Sequence, residues 1–402
     1  MDIHAAAAVI RQAVNPQRLL HTAQQLIAVP SPTRSAGEAA DTLARILGEA
    51  GFAVERPVAD WPDAPAVVTR LTSGAPGRTL QFDGHLDTVH LPFVPPRFDD
   101  GILYGSGCSD MKGGIAACVE ALRALKETGL PAHGQVLLTA HDHHEGPWGD
   151  RRQIRALIRE GYTGDAVLLP EYVADRLPVA GRGMVIFEAR ITRNGAPVHE
   201  VLRAPDTPDV VAIGAELVSR LAALNAQVQQ VDHPHAGHDS VFVGRIAAGE
   251  IYNQAPVLCT VNGTRRWVTP GATDAVLAQL TALAEDVVSG RNVAIALDLE
   301  VQGEAFQIDE ADPAVRAFQA AHAAISGHPL PLGAKPFVDD GNTYGPLAAI
   351  PAITHGPAAT GAHTLDERVS LDELVRVAQV YALTAVAYCT PNHDASPEER
   401  TA

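Results

Sequence analysis

The sequence predicts an α/β protein with a mostly parallel sheet flanked by helices, interrupted by a smaller inserted α+β block. Three observations predict it. Up to about Leu169, short apolar runs alternate with amphipathic helical stretches, the pattern of a parallel sheet with helical crossovers. Near Gly181 the pattern changes to apolar–polar alternation within single segments, which marks antiparallel strands with one solvated face. From Asp312 the helical pattern resumes, with Val315, Phe318 and Ala321 on one side. A chain of 402 residues also favours two domains over one.

Asn15 and Pro16, ahead of Leu19, Leu20 and Leu26, signal a helix start, and Pro30 and Pro32 break that helix. Residues 37–50 read as a second helix ended by Gly51. Residues 67–71 and 79–82 are strand candidates. Residues 111–130 read as a helix in which Ile115, Cys118, Val119, Leu122 and Leu125 recur at helical spacing. Two buried strands, 136–140 and 166–169, flank a helix at 154–159. In the insert, Val185, Phe187, Ala189 and Ile191 alternate with Glu188 and Arg190. Strands at 240–247, 258–268 and 294–301 and helices at 209–224 and 274–289 complete it. A strand at 349–353 and a helix at 370–388 follow. The expected boundaries are 1–182 with 307–402 for the outer domain and 183–306 for the insert.

With 46% hydrophobic and 19% charged residues, the composition excludes a largely disordered chain. A formal net charge of −17 repels phosphate backbones and anionic lipid. The expected partner is therefore a small molecule, not nucleic acid or a membrane. No run approaches the ~18 apolar residues of a membrane span, and residues 1–11 lack a basic leader and a cleavage site. A cytoplasmic location is expected. The four cysteines, Cys108, Cys118, Cys259 and Cys389, are scattered and form no CxxC pair, so buried reduced thiols are expected. The histidine-bearing run DHPHAGHD (232–239) reads as a surface loop.

Chemistry concentrates where apolar strands end. In GHLDT (84–88), His85 and Asp87 are two apart and share a face of an extended segment. A carboxylate there can hold one ring nitrogen and present the other to a metal. In GSGCSDMKGG (105–114), Asp110 precedes the long helix, where it is either a helix cap or a ligand. HDHHEGP (141–147) leaves a buried strand, and so many titratable groups there are costly unless solvated or metal-bound. Glu171 follows the next strand, and His363 precedes the last helix. Imidazole and carboxylate donors of this kind suit one or two Zn2+ ions and accept Co2+ or Mn2+. Ligands in an open α/β sheet bind at such strand ends.

GHLDT, GSGCSDMKGG and GAHTLDERV (361–369), in this order, resemble the zinc metallopeptidases and deacylases that include acetylornithine deacetylase, succinyl-diaminopimelate desuccinylase, aminoacylase and bacterial glutamate carboxypeptidase. The resemblance runs from about residue 15 to 390. It implies that His85, Asp110, Glu171 and His363 are metal ligands, with Asp110 bridging two ions and Asp87 supporting His85. It implies that the insert is a lid and dimerisation domain, and that the chain forms a homodimer. Within the insert, His199 of NGAPVH corresponds to a histidine that stabilises the oxyanion. Asn253 of IYNQAP corresponds to a lid asparagine, Arg266 of GTRRWVTPG to an arginine that grips a substrate carboxylate, and Gly356 of THGP to a backbone position near that carboxylate.

One segment departs from the pattern. The family carries Asp-Glu-Glu, a general base followed by a ligand, where this chain has Asp142-His143-His144. Aligned through Gly149, His143 falls at the base and His144 at the ligand; aligned on Gly146, His144 falls at the base and Glu145 at the ligand. Ligand chemistry favours His144 on the metal, with Glu145 or His143 as the base. The expected activity is metal-dependent hydrolysis of an amide C–N bond in a small N-acyl amino acid, dipeptide or similar carboxylate. The altered cluster also admits an aminohydrolase acting on a non-peptide C–N bond, or a member that binds metal without turnover.

Overall fold

The computed structural model describes residues 2–390, which divide into two compact units. The first runs to Val179 and resumes at Ile308–Lys335 and from Asp339 onward; the second is Ala180–Gln307 with Pro336–Val338.

The first unit is built on a six-stranded sheet. Its order is Val54–Glu55, Val67–Thr72, Gln135–His141, Thr79–His85, Ala166–Leu169 and Ala352–Thr354. The pairings among the last four strands are all parallel, and the two at the other edge are antiparallel. The central strands Gln135–His141 and Ala166–Leu169 are buried almost throughout, which is why they read as continuous apolar runs.

The helices follow the sequence signals. Asn15 caps Pro16–Ile27 by accepting from the Arg18 N–H at 3.0 Å. Lys112–Thr128 ends at Gly129, whose φ of 67° is left-handed. Ser370 caps Leu371–Cys389 through the Glu373 N–H. The helices Lys112–Thr128, Pro313–Ser326 and Leu371–Cys389 pack together. Arg152–Arg159 contributes Ala156 and Leu157 to a separate core with Val68 and Leu137. Ile3–Ala13, capped by Asp2, is a helix with no counterpart in the sequence reading. A short four-stranded sheet of Arg97–Asp99, Ile102–Tyr104, Arg368–Ser370 and Ala359–Thr360 was also not anticipated, because its strands are too brief to show a period.

The second unit is an antiparallel sheet in the order Ser240–Ala248, Leu258–Trp267, Gly183–Arg193, Val293–Gly303. Val185, Phe187, Ala189 and Ile191 share its core with Leu217 and Leu221 of Val210–Val228 and Leu280 of Thr273–Val288. The other face carries Glu188, Arg190 and Asp298, joined by ion pairs. The run 232–239 holds the hairpin strands Asp232–His233 and Gly237–His238. All four cysteines are free and buried.

Candidate metal centre

The parallel strands deliver their donors to one rim. His85 is the last residue of its strand, His144 and Glu145 follow the end of Gln135–His141, and Glu171 lies two residues beyond Leu169. Close packing fixes this rim. A Cβ on Gly114, at the start of the long helix, would meet the Pro170 carbonyl oxygen at 2.2 Å, and one on Gly356 would meet that of Glu171 at 2.1 Å. Only glycine lets helix and strand end approach so closely. The Gly356 N–H donates to the Val173 carbonyl at 3.0 Å, so within this unit it serves the Glu171 turn.

Asp110 is not a helix cap. Met111 is the residue at the cap position, and no side chain there bonds the helix N-terminus. Instead both oxygens of Asp110 face imidazoles: Oδ1 lies 3.3 Å from His85 Nε2, and Oδ2 lies 3.1 Å from His363 Nε2. On the first side, His85 Nε2 is 3.7 Å from Glu171 Oε1. On the other, His363 Nε2 is 3.2 Å from Glu145 Oε2. Donors on one zinc ion at ~2.1 Å stand about 3.0–3.5 Å apart, a spacing that the 3.1, 3.2 and 3.3 Å pairs match. His85 Nε2 and Glu171 Oε2 are buried and have no hydrogen-bond partner among the described residues. The donor set therefore fits metal ions. Without them, burial and the Asp110 charge push Glu171 up to about 7, and hydrogen bonds to Asp110 and Glu145 raise His363 to about 10.

Asp87 acts differently from expectation. The Asp87 backbone carbonyl, not its carboxylate, accepts from His85 Nδ1 at 2.9 Å. The carboxylate, 3.8 Å from that nitrogen, accepts the His144 N–H at 3.1 Å and the Glu145 N–H at 2.9 Å. It thus anchors the altered loop.

The loop sends its side chains three ways. Glu145 turns to Asp110 and His363. His144 stacks on His85 with centroids 3.9 Å apart and planes 6° from parallel. His143, at φ 71°, packs edge-on against Trp61, and its Nδ1 lies 3.1 Å from Asp150 Oδ1. It belongs to none of the metal-competent groups among the described residues. The donors of His85, His144 and Glu171 also lie within 4.8 Å of one another. Imidazole lone pairs lie in their ring planes, however. An ion in the plane of His85 is well out of the parallel plane of His144, so the two rings cannot share it.

In the second unit, His199 and Asn253 meet: His199 Nε2 is 3.1 Å from Asn253 Nδ2, and the short strands Val198–His199 and Gln254–Ala255 pair. Arg266 is half-buried, and burial together with the Arg182 charge lowers its pKa. Its neighbour Arg265 is committed to Asp239 at 2.7 Å.

Two further groups had no role in the sequence reading. Glu367 accepts from Gly107 N, Ser109 N, Ser109 Oγ and Asp110 N at 2.8–3.2 Å, fixing the loop that carries Asp110. Its signal was present, four residues after His363. Asp340 accepts from His144 Nδ1 at 2.7 Å. It sits in the run Val338-Asp339-Asp340-Gly341, which carries no periodic signal.

A two-sided cluster of imidazole and carboxylate donors at the strand ends of an α/β sheet is the kind of site that holds divalent ions for hydrolysis. Residues 82–387 match the profile of peptidase family M20/M25/M40, and the chain belongs to that family. It is 28% identical over 386 residues to a succinyl-diaminopimelate desuccinylase of Methylobacterium nodulans, covering 91% of this chain and 94% of that protein. An aminopeptidase of Bacillus cereus shares the fold at a TM-score of 0.78 and 20% identity, over 94% of this chain and 99% of its own. So does a dinuclear metal-binding M20 peptidase of Bacillus subtilis, at 0.67 and 18%, over 92% and 97%.

Proposed function

We propose that this enzyme is a two-metal amidohydrolase that removes a carboxylate-bearing acyl group, of the succinyl type, from an amino-acid amine. The observation that carries the two-metal reading is the Asp110 carboxylate, with one oxygen turned to His85 and the other to His363. In this reading His85, Asp110 and Glu171 hold one ion, and Asp110, Glu145 and His363 hold the second. Zinc suits the donors, and cobalt or manganese fits them as well. Bound there, the ions would polarise the scissile carbonyl and acidify a water.

The loop geometry supports roles opposite to those favoured from sequence. Glu145, facing Asp110 and His363, is the ligand, and His144 is the general base, with His143 outside the chemistry. Nε2 of His144 lies 3.9 Å from Glu171 Oε1, beside the ligands. It takes the proton of the attacking water and delivers it to the leaving amine. The family resemblance assigns the oxyanion donor to His199, which has Asn253 beside it. Arg266, whose half-buried guanidinium lies near Arg182, takes a substrate carboxylate. The succinyl class is supported by the desuccinylases among the relatives.

A second copy is proposed to pair along the strand Ser240–Ala248. This strand is an edge of its sheet among the described residues, and it exposes Phe242 and Ile246. No helix among the described residues is long and apolar enough to cross a membrane. The four free cysteines suit a reducing, cytoplasmic compartment.

The test is a panel of N-succinyl-L,L-diaminopimelate, other N-acyl amino acids and dipeptides, read by release of amine, with ammonia measured in parallel. Cleavage of the succinyl amide with two metal equivalents per chain is expected. Asp110→Ala should lose both the ions and the activity. Full metal content in that variant would sink the bridging assignment, and ammonia as the sole product would sink the deacylase reading.

A further inference from the structure

Behind His144 lies a buried polar chain that ordinary amide hydrolysis by a glutamate base does not require. Asp340 Oδ2 accepts from His144 Nδ1 at 2.7 Å. The same oxygen lies 3.5 Å from His141 Nε2, which is also 3.4 Å from Asp83 Oδ2. Thr139 Oγ1 donates to the other oxygen of Asp83. His141 Nδ1 is 3.2 Å from the Asp142 carbonyl oxygen. Asp83, His141 and Asp340 are each at most 2% exposed.

Such a chain has a physical reason to accompany a histidine base. A carboxylate base presents two equivalent oxygens. An imidazole presents two different nitrogens, and only one tautomer leaves a lone pair on Nε2. We propose that Asp340, steadied by His141 and Asp83, is the positioning residue of His144: it holds the proton on Nδ1 and so keeps the Nε2 lone pair turned to the metal-binding carboxylates. This rests on His144 being the base.

The donors of Asp83, His141 and Asp340 also lie within 4.8 Å of one another, close enough for a cation. Two features favour the positioning role. The oxygen of Asp340 nearest His141 already takes the His144 hydrogen bond. The fixed cation Arg151 stands 3.9 Å from Asp340 Oδ1.

The experiment compares the full-length wild type with Asp340→Asn, His141→Gln and His144→Gln. Metal content, kcat and KM are read on the panel amide that the wild type cleaves. The histidine ring nitrogens are read by NMR in the metal-free protein. Expected for Asp340→Asn are unchanged metal content and KM, kcat lower by ~100-fold or more, and loss of the hydrogen-bonded Nδ1–H signal that His144→Gln also removes. His141→Gln should show a smaller fall in kcat with the signal retained but shifted. Wild-type kcat in Asp340→Asn beside an inactive His144→Gln would overturn the positioning role and leave the base in place. Full activity in His144→Gln would instead overturn the base. Loss of metal from Asp340→Asn, or an Nε2–H tautomer at His144 in the wild type, would overturn the proposal without any turnover measurement.

Discussion

His141 shows how two buried carboxylates can hold a charge inside a sheet. Burial opposes its protonation, but Asp83 and Asp340 outweigh burial and hold its pKa at about 9, against 6.5 for a free imidazole. His144, Arg151, Lys335, Tyr344 and Cys118 also lie within the field of one or both of these acids. The folded value lies above the unfolded one. The stabilisation is therefore complete below pH ~6.5 and is lost as pH rises towards 9. Between those limits wild type should lose on the order of 3 kcal/mol more unfolding free energy than His141→Gln; parallel slopes in denaturant titrations would contradict this. A second residue-scale expectation concerns His199. His199→Ala should keep its metal and lose ~100-fold or more in turnover, the usual scale for an oxyanion donor. Unchanged turnover by the same amine assay would remove His199 from the site.

At the scale of elements, loops and strand ends matter more than the helices they join. Glu367 binds three backbone N–H groups and a hydroxyl of the loop before the long helix. Nearby, the Lys112 ammonium donates to the Val29 carbonyl at 2.7 Å, and burial lowers its pKa to about 7. Replacing Glu367 by Gln puts an amide donor against N–H groups. It should cost about 2–3 kcal/mol and weaken metal affinity together with stability. Thermal unfolding with and without added zinc checks both; a variant with wild-type affinity would show that the Asp110 loop holds itself. Asp142 plays a similar part, accepting from the N–H groups of Arg34, Ala36 and His143 at 2.6–3.0 Å. The long elements were legible in the sequence because their period spans many residues: Lys112–Thr128 and Gly183–Arg193 both follow their apolar spacing. The short sheet whose strands flank His363 was not, since two- and three-residue strands have no period to read.

At the scale of the molecule, the proposed pairing of two copies falls on the edge strand Ser240–Ala248. Phe242 and Ile246 are 65% and 48% exposed there, more than a solvated edge requires. Phe242→Lys should shift a dimer to monomers in light scattering; an identical mass for both proteins would place any interface elsewhere. The sequence by itself determined the α/β class, the family and the four donors His85, Asp110, Glu171 and His363 as candidates, because each stands in a motif or at the end of an apolar run. Tertiary structure decided what those motifs leave open. The paths of His143, His144 and Glu145 depend on a loop pinned by Asp87, and an alignment cannot tell which of three consecutive side chains points inward. Asp340 reaches His144 across 196 positions of chain. Such a pairing has no local signature, since only the packing of the sheet against the segment before Gly341 brings the two together.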